Sequence, residues 1–240
     1  MRSLMLQMIS VAGMCWLAAC QPQEVPVDPK TDELLVLQFE HLFDGAVLLP
    51  AQRIYQNAAG NSLSITRLEY LVSQLELENA TGEKRLLAGP WYMNAFDQQP
   101  DTVHIRNFKP VQLRLRIGLD SLQNQSHQHD QGHGFINMAW PDLMGGGYHF
   151  LKLEGRYLHP SDQERGYAFH LGKSEFAVPV NQVAHKPAGT AYLKLTMSVE
   201  RWFGPPVVWE LGHHASHTMM FDSVMAKLVE NGKEVFLEAP

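Results

Sequence analysis

Apolar and polar residues alternate in several segments of the chain, which is the pattern of half-buried β-strands. In residues 34–41 the alternation places Leu35, Leu37, Phe39 and His41 on one face. Further strands are expected at residues 75–78, 84–87, 111–119, 148–154, 167–171, 191–199 and 234–238, with a hairpin turn at Thr81-Gly82. The chain is therefore expected to be rich in strands.

The same alternation predicts which side chains point inward. In residues 148–154, His149 shares a face with Leu151 and Leu153, so this histidine is expected in apolar surroundings. The other predicted inward positions are Val111, Leu113, Leu115, Ile117 and Leu119 in one strand, and Leu193, Leu195, Met197 and Val199 in another.

Helical spacing is found near the C-terminus. Phe221, Val224, Met225 and Leu228 recur at helical intervals, and Asn231-Gly232 predicts the end of that helix. Residues 65–70 are also compatible with one helical turn. Because strands dominate and no β–α–β alternation occurs, the chain is predicted to be all-β, an antiparallel sandwich or barrel. We expect an antiparallel β-sandwich with one short C-terminal helix, formed by a single domain over residues 33–240.

The N-terminus has the features of a bacterial targeting segment. Arg2 precedes an apolar stretch over residues 4–19, and Leu17-Ala18-Ala19-Cys20 resembles a lipobox. An ordinary secretory signal that ends near a cysteine is the alternative. We predict a lipoprotein signal peptide over residues 1–19, lipidation of Cys20, and a proline-containing tether over residues 20–32. Gln21 after the cysteine favours a lipid-anchored location at the outer membrane or in the periplasm.

The composition and the motifs of the chain argue against several classes of function. Nineteen Lys and Arg residues against 25 Asp and Glu residues give a net charge of −6, which argues against a protein that binds nucleic acid by neutralising phosphates. Both cysteines lie within the first 20 residues, so the mature protein would have no free thiol for a nucleophile or a zinc site. The standard catalytic signatures are absent, although sequence leaves a dispersed Ser-His-Asp triad open. We do not expect an enzyme.

Twelve histidines suggest metal chemistry, because neutral imidazole suits copper and zinc and thioether sulfur favours Cu(I). The methionines near Trp140 or His217 are Met138, Met144, Met219 and Met220, and core packing is the better explanation of each one taken alone. His41 is either a buried histidine with a structural hydrogen bond or a ligand. The polar loop with His127, His129 and His133 is either a chelating loop or a solvated one.

The most constrained segment covers residues 135–155, FINMAWPDLMGGGYHFLKLEG. It combines Trp140-Pro141, three consecutive glycines and His149. Glycines allow positive φ or a close backbone approach. We therefore expect the fold to hold Trp140 and His149 beside histidines from elsewhere in the chain.

The segments FEHLFDG, SITRLEYLVSQLEL, RIGLDS, NMAWPDLMGGGYHFLKLEG and FHLG, taken in this order, resemble the MbnP family of exported copper-binding proteins. These proteins are associated with methanobactin gene clusters, and the resemblance covers roughly residues 34–172. It implies a β-rich sandwich that holds copper through histidines and a kynurenine. The kynurenine forms when a di-haem, peroxidase-like MbnH-type partner oxidises a tryptophan.

Matching the motifs residue by residue assigns expected roles. Trp140 corresponds to the Met-x-Trp tryptophan and is the expected site of kynurenine formation. The expected copper ligands are His170 in His-Leu-Gly, His41 in Phe-x-His, and His149 and His217 in a branch-specific pattern. Many members have a second tryptophan where this chain has Asp142.

The resemblance thus implies a membrane-anchored copper-binding lipoprotein that acts in copper acquisition or handling. One alternative is a structural or interaction lipoprotein of the envelope whose histidines are core residues, with no metal function. Another is an enzyme that uses the same metal.

Overall fold

Two β-sheets pack face to face in the computed structural model, which describes residues 34–52, 54–87, 89–97, 102–183, 191–213, 216–219 and 221–236. The strands in chain order are β1 (Leu34–Phe43), β2 (Ala46–Val47), β3 (Tyr55–Gln56), β4 (Ser62–Asn79), β5 (Lys84–Leu87), β6 (Trp91–Asn94), β7 (Thr102–Arg106), β8 (Pro110–Ile117), β9 (His149–Leu158), β10 (Glu164–Gly172), β11 (Val178–Val183) and β12 (Tyr192–Ser198). One α-helix, α1, covers Asp222–Gly232. Short 3-10 helices cover Phe135–Met138, Asp142–Met144, Ser174–Phe176 and Val199–Phe203.

The smaller sheet has the order β12-β1-β2, with β7 also paired to β1. The larger sheet has the order β10-β9-β4-β8-β11, and β3, β5 and β6 also pair with β4. Among the pairings of named strands, β1 with β12 is parallel and the others are antiparallel. The predicted all-β class, with antiparallel sheets and one C-terminal helix, is confirmed.

The core lies between the sheets. Alternate residues of β1 are buried as predicted, and Phe39 and His41 both contact the ring of Tyr70 on β4. The inner face of the larger sheet is therefore the face that carries Tyr70. Leu151 on β9 is paired with Tyr70 and with Leu171 on β10, so these leucines share that inner face.

The long central strand β4 corrects one prediction. Residues 65–70 belong to this strand and do not form a helical turn. The strand is covered on both faces, so Leu68, Tyr70, Leu71 and Val72 are all buried and do not alternate with polar residues. A register shift between Ile65 and Arg67 breaks the period further.

The hairpin between β4 and β5 is confirmed, as are the inward positions Leu193, Leu195 and Met197. The inward prediction for Val111 is wrong, because its side chain is 45% exposed. It follows Pro110 at the start of β8, beside a register shift at the end of β4. In α1, Met225 and Leu228 are buried, whereas Phe221 is exposed.

Several predictions fall on residues outside the described ranges. These are the signal peptide, Cys20, the tether and the last part of the strand predicted at residues 234–238; within that strand, Phe236 forms a bridge with Met197. The described helices include none with the length and apolar character that crossing a membrane requires.

Candidate metal site

A β-bulge in β9 places His149 on the outer face of the larger sheet. Leu151 is paired with Leu171, but His149 is paired with Gly172, so Phe150 is an extra residue on β9. Because side chains alternate along a strand, this extra residue moves His149 to the face that carries His170. The prediction that His149 shares a face with Leu151 and Leu153 is therefore wrong.

Three rings lie in a row on this outer face. The ring centroids of Trp140 and His149 are 4.6 Å apart, and those of His149 and His170 are 4.8 Å apart. Trp140 is 2% exposed and His149 is 4% exposed. The expectation that the fold brings Trp140 and His149 next to another histidine thus agrees with the geometry.

The glycine-rich loop holds Trp140 in place. The backbone N–H of Trp140 donates to the carbonyl of Gly147 at 2.9 Å, and its indole Nε1 donates to the carbonyl of Met144 at 3.1 Å. Gly147 has a φ of +86°, which favours glycine. The segment is therefore folded back on itself, with the indole directed toward the sheet.

Gly172 at the end of β10 provides the space for this indole. A Cβ atom added to Gly172 would lie 2.4 Å from the Trp140 ring, so a larger residue would displace the ring. The absence of a side chain at Gly172 is what lets Trp140 lie against the strand that carries His170.

His170 is fixed through both its ring and its backbone. Its Nε2 lies 2.8 Å from Oε1 of Glu154 on β9. Its backbone N–H donates to Oγ1 of the fully buried Thr218 at 2.7 Å, and the Thr218 hydroxyl donates to the carbonyl of His170. Arg67 on β4 lies 3.5 Å from Glu154 and 2.9 Å from Glu69. Glu154, Arg67 and Glu69 thus form a charged network next to His170.

Electrostatics keep His149 neutral. Burial lowers the pKa of His149 to about 2, and the charges of Lys152, His170 and Arg67 act in the same direction. Its Nδ1 is buried without a hydrogen-bond partner among the described residues. The hydrogen bond from His170 lowers the pKa of Glu154 below its usual value. The site therefore combines an anionic carboxylate with a neutral, unsatisfied imidazole.

The other predicted ligands lie in different surroundings. His217 is exposed and forms a bridge with Ala168 on β10, two residues from His170. Bridge partners share a face, so His217 is on the same face of the sheet as His170. His41 is in the core between the sheets, where its Nε2 is 2.9 Å from the hydroxyl of Tyr70. Its burial lowers its pKa to about 4.

The loop histidines each have a separate contact. His127 lies 2.7 Å from Asp130, His129 Nε2 lies 2.9 Å from the carbonyl of Gln123, and His133 packs edge-on to Tyr92. Of the methionines, Met138 is buried, Met144 and Met219 are half-buried, and Met220 is outside the described residues. Within the described ranges, no three or more His, Cys, Asp or Glu side chains form a group able to hold a metal.

Sequence reasoning missed Glu154, Thr218 and Gly172 as parts of this site. Glu154 could have been recognised as an outward residue of its strand, but its partner His170 is on a different strand. Thr218 and Gly172 carried no signal, because their roles depend on backbone positions that only the folded sheet defines.

The fold and the site define a class: a two-sheet β-protein in which a tryptophan and two imidazoles meet on the outer face of one sheet. The MbnP family model matches residues 32–221, and the chain belongs to the MbnP family. This confirms the resemblance, and the family relation indicates a protein associated with methanobactin or copper.

Among solved structures, the chain is similar to MbnP from Methylosinus trichosporium, with a TM-score of 0.51 and 13% sequence identity. The match covers 71% of this chain and 77% of that chain, and at this identity it shows the fold alone. Among curated proteins, none matches the chain significantly.

Proposed function

We propose that the protein binds one copper ion at the outer face of the larger sheet, with His149 and His170 as ligands beside Trp140. The observation that supports this most strongly is the unpartnered Nδ1 of His149, buried against an indole and a second imidazole. A buried polar atom without a partner costs roughly 1–3 kcal/mol, and a bound metal would offset this cost.

The residues at the site fit copper. Imidazole nitrogen is a donor that copper accepts, and the low pKa of His149 keeps its lone pair available at neutral pH. His217 is the candidate third ligand, because it is exposed on the same face and next to β10. His41 is the weakest of the predicted ligands, since its Nε2 is already bonded to Tyr70.

Trp140 is the proposed site of kynurenine formation by a di-haem, peroxidase-like MbnH-type partner. Oxidation would open the pyrrole ring of the indole, release its C2 carbon, and turn the ring N–H that now donates to Met144 into an aromatic amine. It would leave this amine and one ketone oxygen beside His149, and both groups can bind a metal. Copper, when bound, would supply a soft, redox-active centre, and the protein would carry it without turnover.

The family relation and the N-terminal sequence support a place for the protein in the cell envelope. We propose that lipid on Cys20 anchors it at the outer membrane or on the periplasmic side, where it serves copper acquisition or handover.

Copper titration of the metal-free mature protein tests the proposal. The unchanged protein should bind one equivalent, and His149→Ala should lose this binding. His104→Ala is the matched control, because His104 is an exposed histidine on β7 of the other sheet. Copper uptake by His149→Ala equal to that of the unchanged protein would contradict the proposal.

Intact mass of the mature protein purified from its own host tests the tryptophan modification. Kynurenine formation exchanges one carbon for one oxygen at Trp140, and peptide mapping should locate that change. An unmodified Trp140 in copper-loaded protein would contradict the proposed kynurenine formation but not the proposed copper binding by the histidines.

A further inference from the structure

We propose that Glu154 is a positioning residue that sets the tautomer of His170, so that Nδ1 of this ring is the nitrogen available to copper. The inference rests on the proposed function and deepens it, because it names which atom of His170 serves as ligand.

The hydrogen bond between the two side chains determines the tautomer. Nε2 of His170 is 2.8 Å from Oε1 of Glu154. An ionised carboxylate only accepts hydrogen bonds, so the proton must be on Nε2 of the imidazole. The neutral form of an imidazole has one protonated nitrogen, so the neutral form of His170 carries its lone pair on Nδ1.

The positions of its neighbours make the carboxylate of Glu154 a close partner of His170. Glu154 is on β9 and His170 is on β10. In the register of these strands Glu154 is paired with Ala168 and Lys152 is paired with His170, so Glu154 and His170 are diagonal neighbours. Arg67 lies 3.5 Å from Glu154, but 2.9 Å from Glu69. The shorter contact of Arg67 is with Glu69, which leaves His170 as the close partner of Glu154.

The backbone and the ring of His170 both have close contacts. Its backbone N–H and carbonyl are both engaged by the hydroxyl of Thr218, and its ring packs against His149. The ring itself contacts Glu154 and His149, and the hydrogen bond to Glu154 selects Nε2 as the protonated nitrogen. Carboxylates that orient metal-binding histidines in this way typically change metal affinity by about 10–100-fold when they are removed.

Nuclear magnetic resonance of the metal-free mature protein, with labelled histidine, tests the tautomer without any copper. We expect His170 to be protonated on Nε2 in the unchanged protein, and this preference to be lost in Glu154→Ala. Copper affinity of Glu154→Ala should fall by about 10–100-fold. Glu164→Ala is the matched control, since Glu164 is an exposed carboxylate on β10, and it should change neither result.

A His170 proton on Nδ1 in the unchanged protein would overturn the inference, and so would an unchanged tautomer in Glu154→Ala. If Glu154→Ala does not fold, Glu154→Gln replaces it in the experiment. The glutamine amide can donate a hydrogen bond as well as accept one, so His170 should then be a mixture of the two tautomers. If the unchanged protein has the expected tautomer but binds no copper, the proposed function fails and Glu154 keeps only its role in orienting the ring.

Discussion

Two buried histidines of this protein, His41 and His149, lie on opposite sides of the larger sheet and differ in their hydrogen bonding. His41 is in the core between the sheets and hydrogen bonds with Tyr70. His149 is on the outer face, packed between Trp140 and His170, and its Nδ1 has no partner among the described residues. Burial lowers the pKa of both, to about 4 for His41 and about 2 for His149.

This difference indicates that His41 stabilises the fold, whereas the unpartnered His149 does not. A buried polar group with a hydrogen bond contributes to stability, whereas one without a partner costs free energy. Local costs of this kind are typical of functional sites. The comparison therefore favours His149 over His41 as a ligand, although both side chains are buried in largely apolar surroundings.

The largest expected effect is the pH dependence due to His41. Its pKa is 6.5 in the unfolded chain and about 4 in the folded protein. Between these values the unfolded chain binds more protons, so the stability contribution is complete above pH 6.5 and is lost as the pH falls toward 4. The loss is roughly 3 kcal/mol. Urea unfolding at both ends of this window should show a loss of stability larger by this amount in the unchanged protein than in His41→Leu, which keeps the loss due to His149. An equal pH dependence of the two proteins would contradict the assignment.

The next effect is the loss of the His41 hydrogen bond itself. At a pH above 6.5, His41→Leu should lower the free energy of unfolding by about 2 kcal/mol, because the bond to Tyr70 is removed. Copper binding should be unchanged. Chemical denaturation and copper titration of the same preparation measure both, and a loss of copper binding with normal folding would place His41 at the metal.

A smaller effect is expected for Gly172→Ala, which directs a methyl group at the Trp140 ring. Displacing the indole should cost on the order of 1–2 kcal/mol and weaken copper binding. Gly166→Ala on the same strand is the control, because its added Cβ would lie no closer than 3.8 Å to its neighbour. Tryptophan fluorescence and thermal unfolding should change in the first variant only. A Gly172→Ala protein with unchanged fluorescence would contradict the close packing.

The smallest effect is expected for His149→Leu in the metal-free protein. It removes the cost of a buried, unpartnered nitrogen but also the ring contacts with Trp140 and His170, so the two effects should nearly cancel and stability should change by less than about 1 kcal/mol. Denaturant unfolding beside His41→Leu gives the comparison directly. A loss as large as that of His41→Leu would mean that His149 also stabilises the metal-free fold.

The sequence predicted those parts of the fold that depend on a regular period. The inward positions of β1, the turn at Thr81-Gly82 and the buried face of α1 follow from local alternation or helical spacing. The helical turn proposed at residues 65–70 was wrong, because β4 is covered on both faces and loses its alternation.

For the site, the sequence predicted the neighbourhood but not its geometry. The glycines after Trp140 indicated a constrained loop, and Trp140 and His149 do meet. The face of His149 depends on the extra residue Phe150, and a bulge is visible only in the pairing of β9 with β10. The pairing of Glu154 with His170 likewise depends on the register between these strands.

Diffraction from crystals of the copper-loaded mature protein, recorded at the copper absorption edge, is the most direct test of a copper site at His149 and His170. The anomalous difference map should show one peak, within bonding distance of nitrogen atoms of both His149 and His170 and next to residue 140. A peak at the loop of His127 and His129, or one beside His41, would contradict the account.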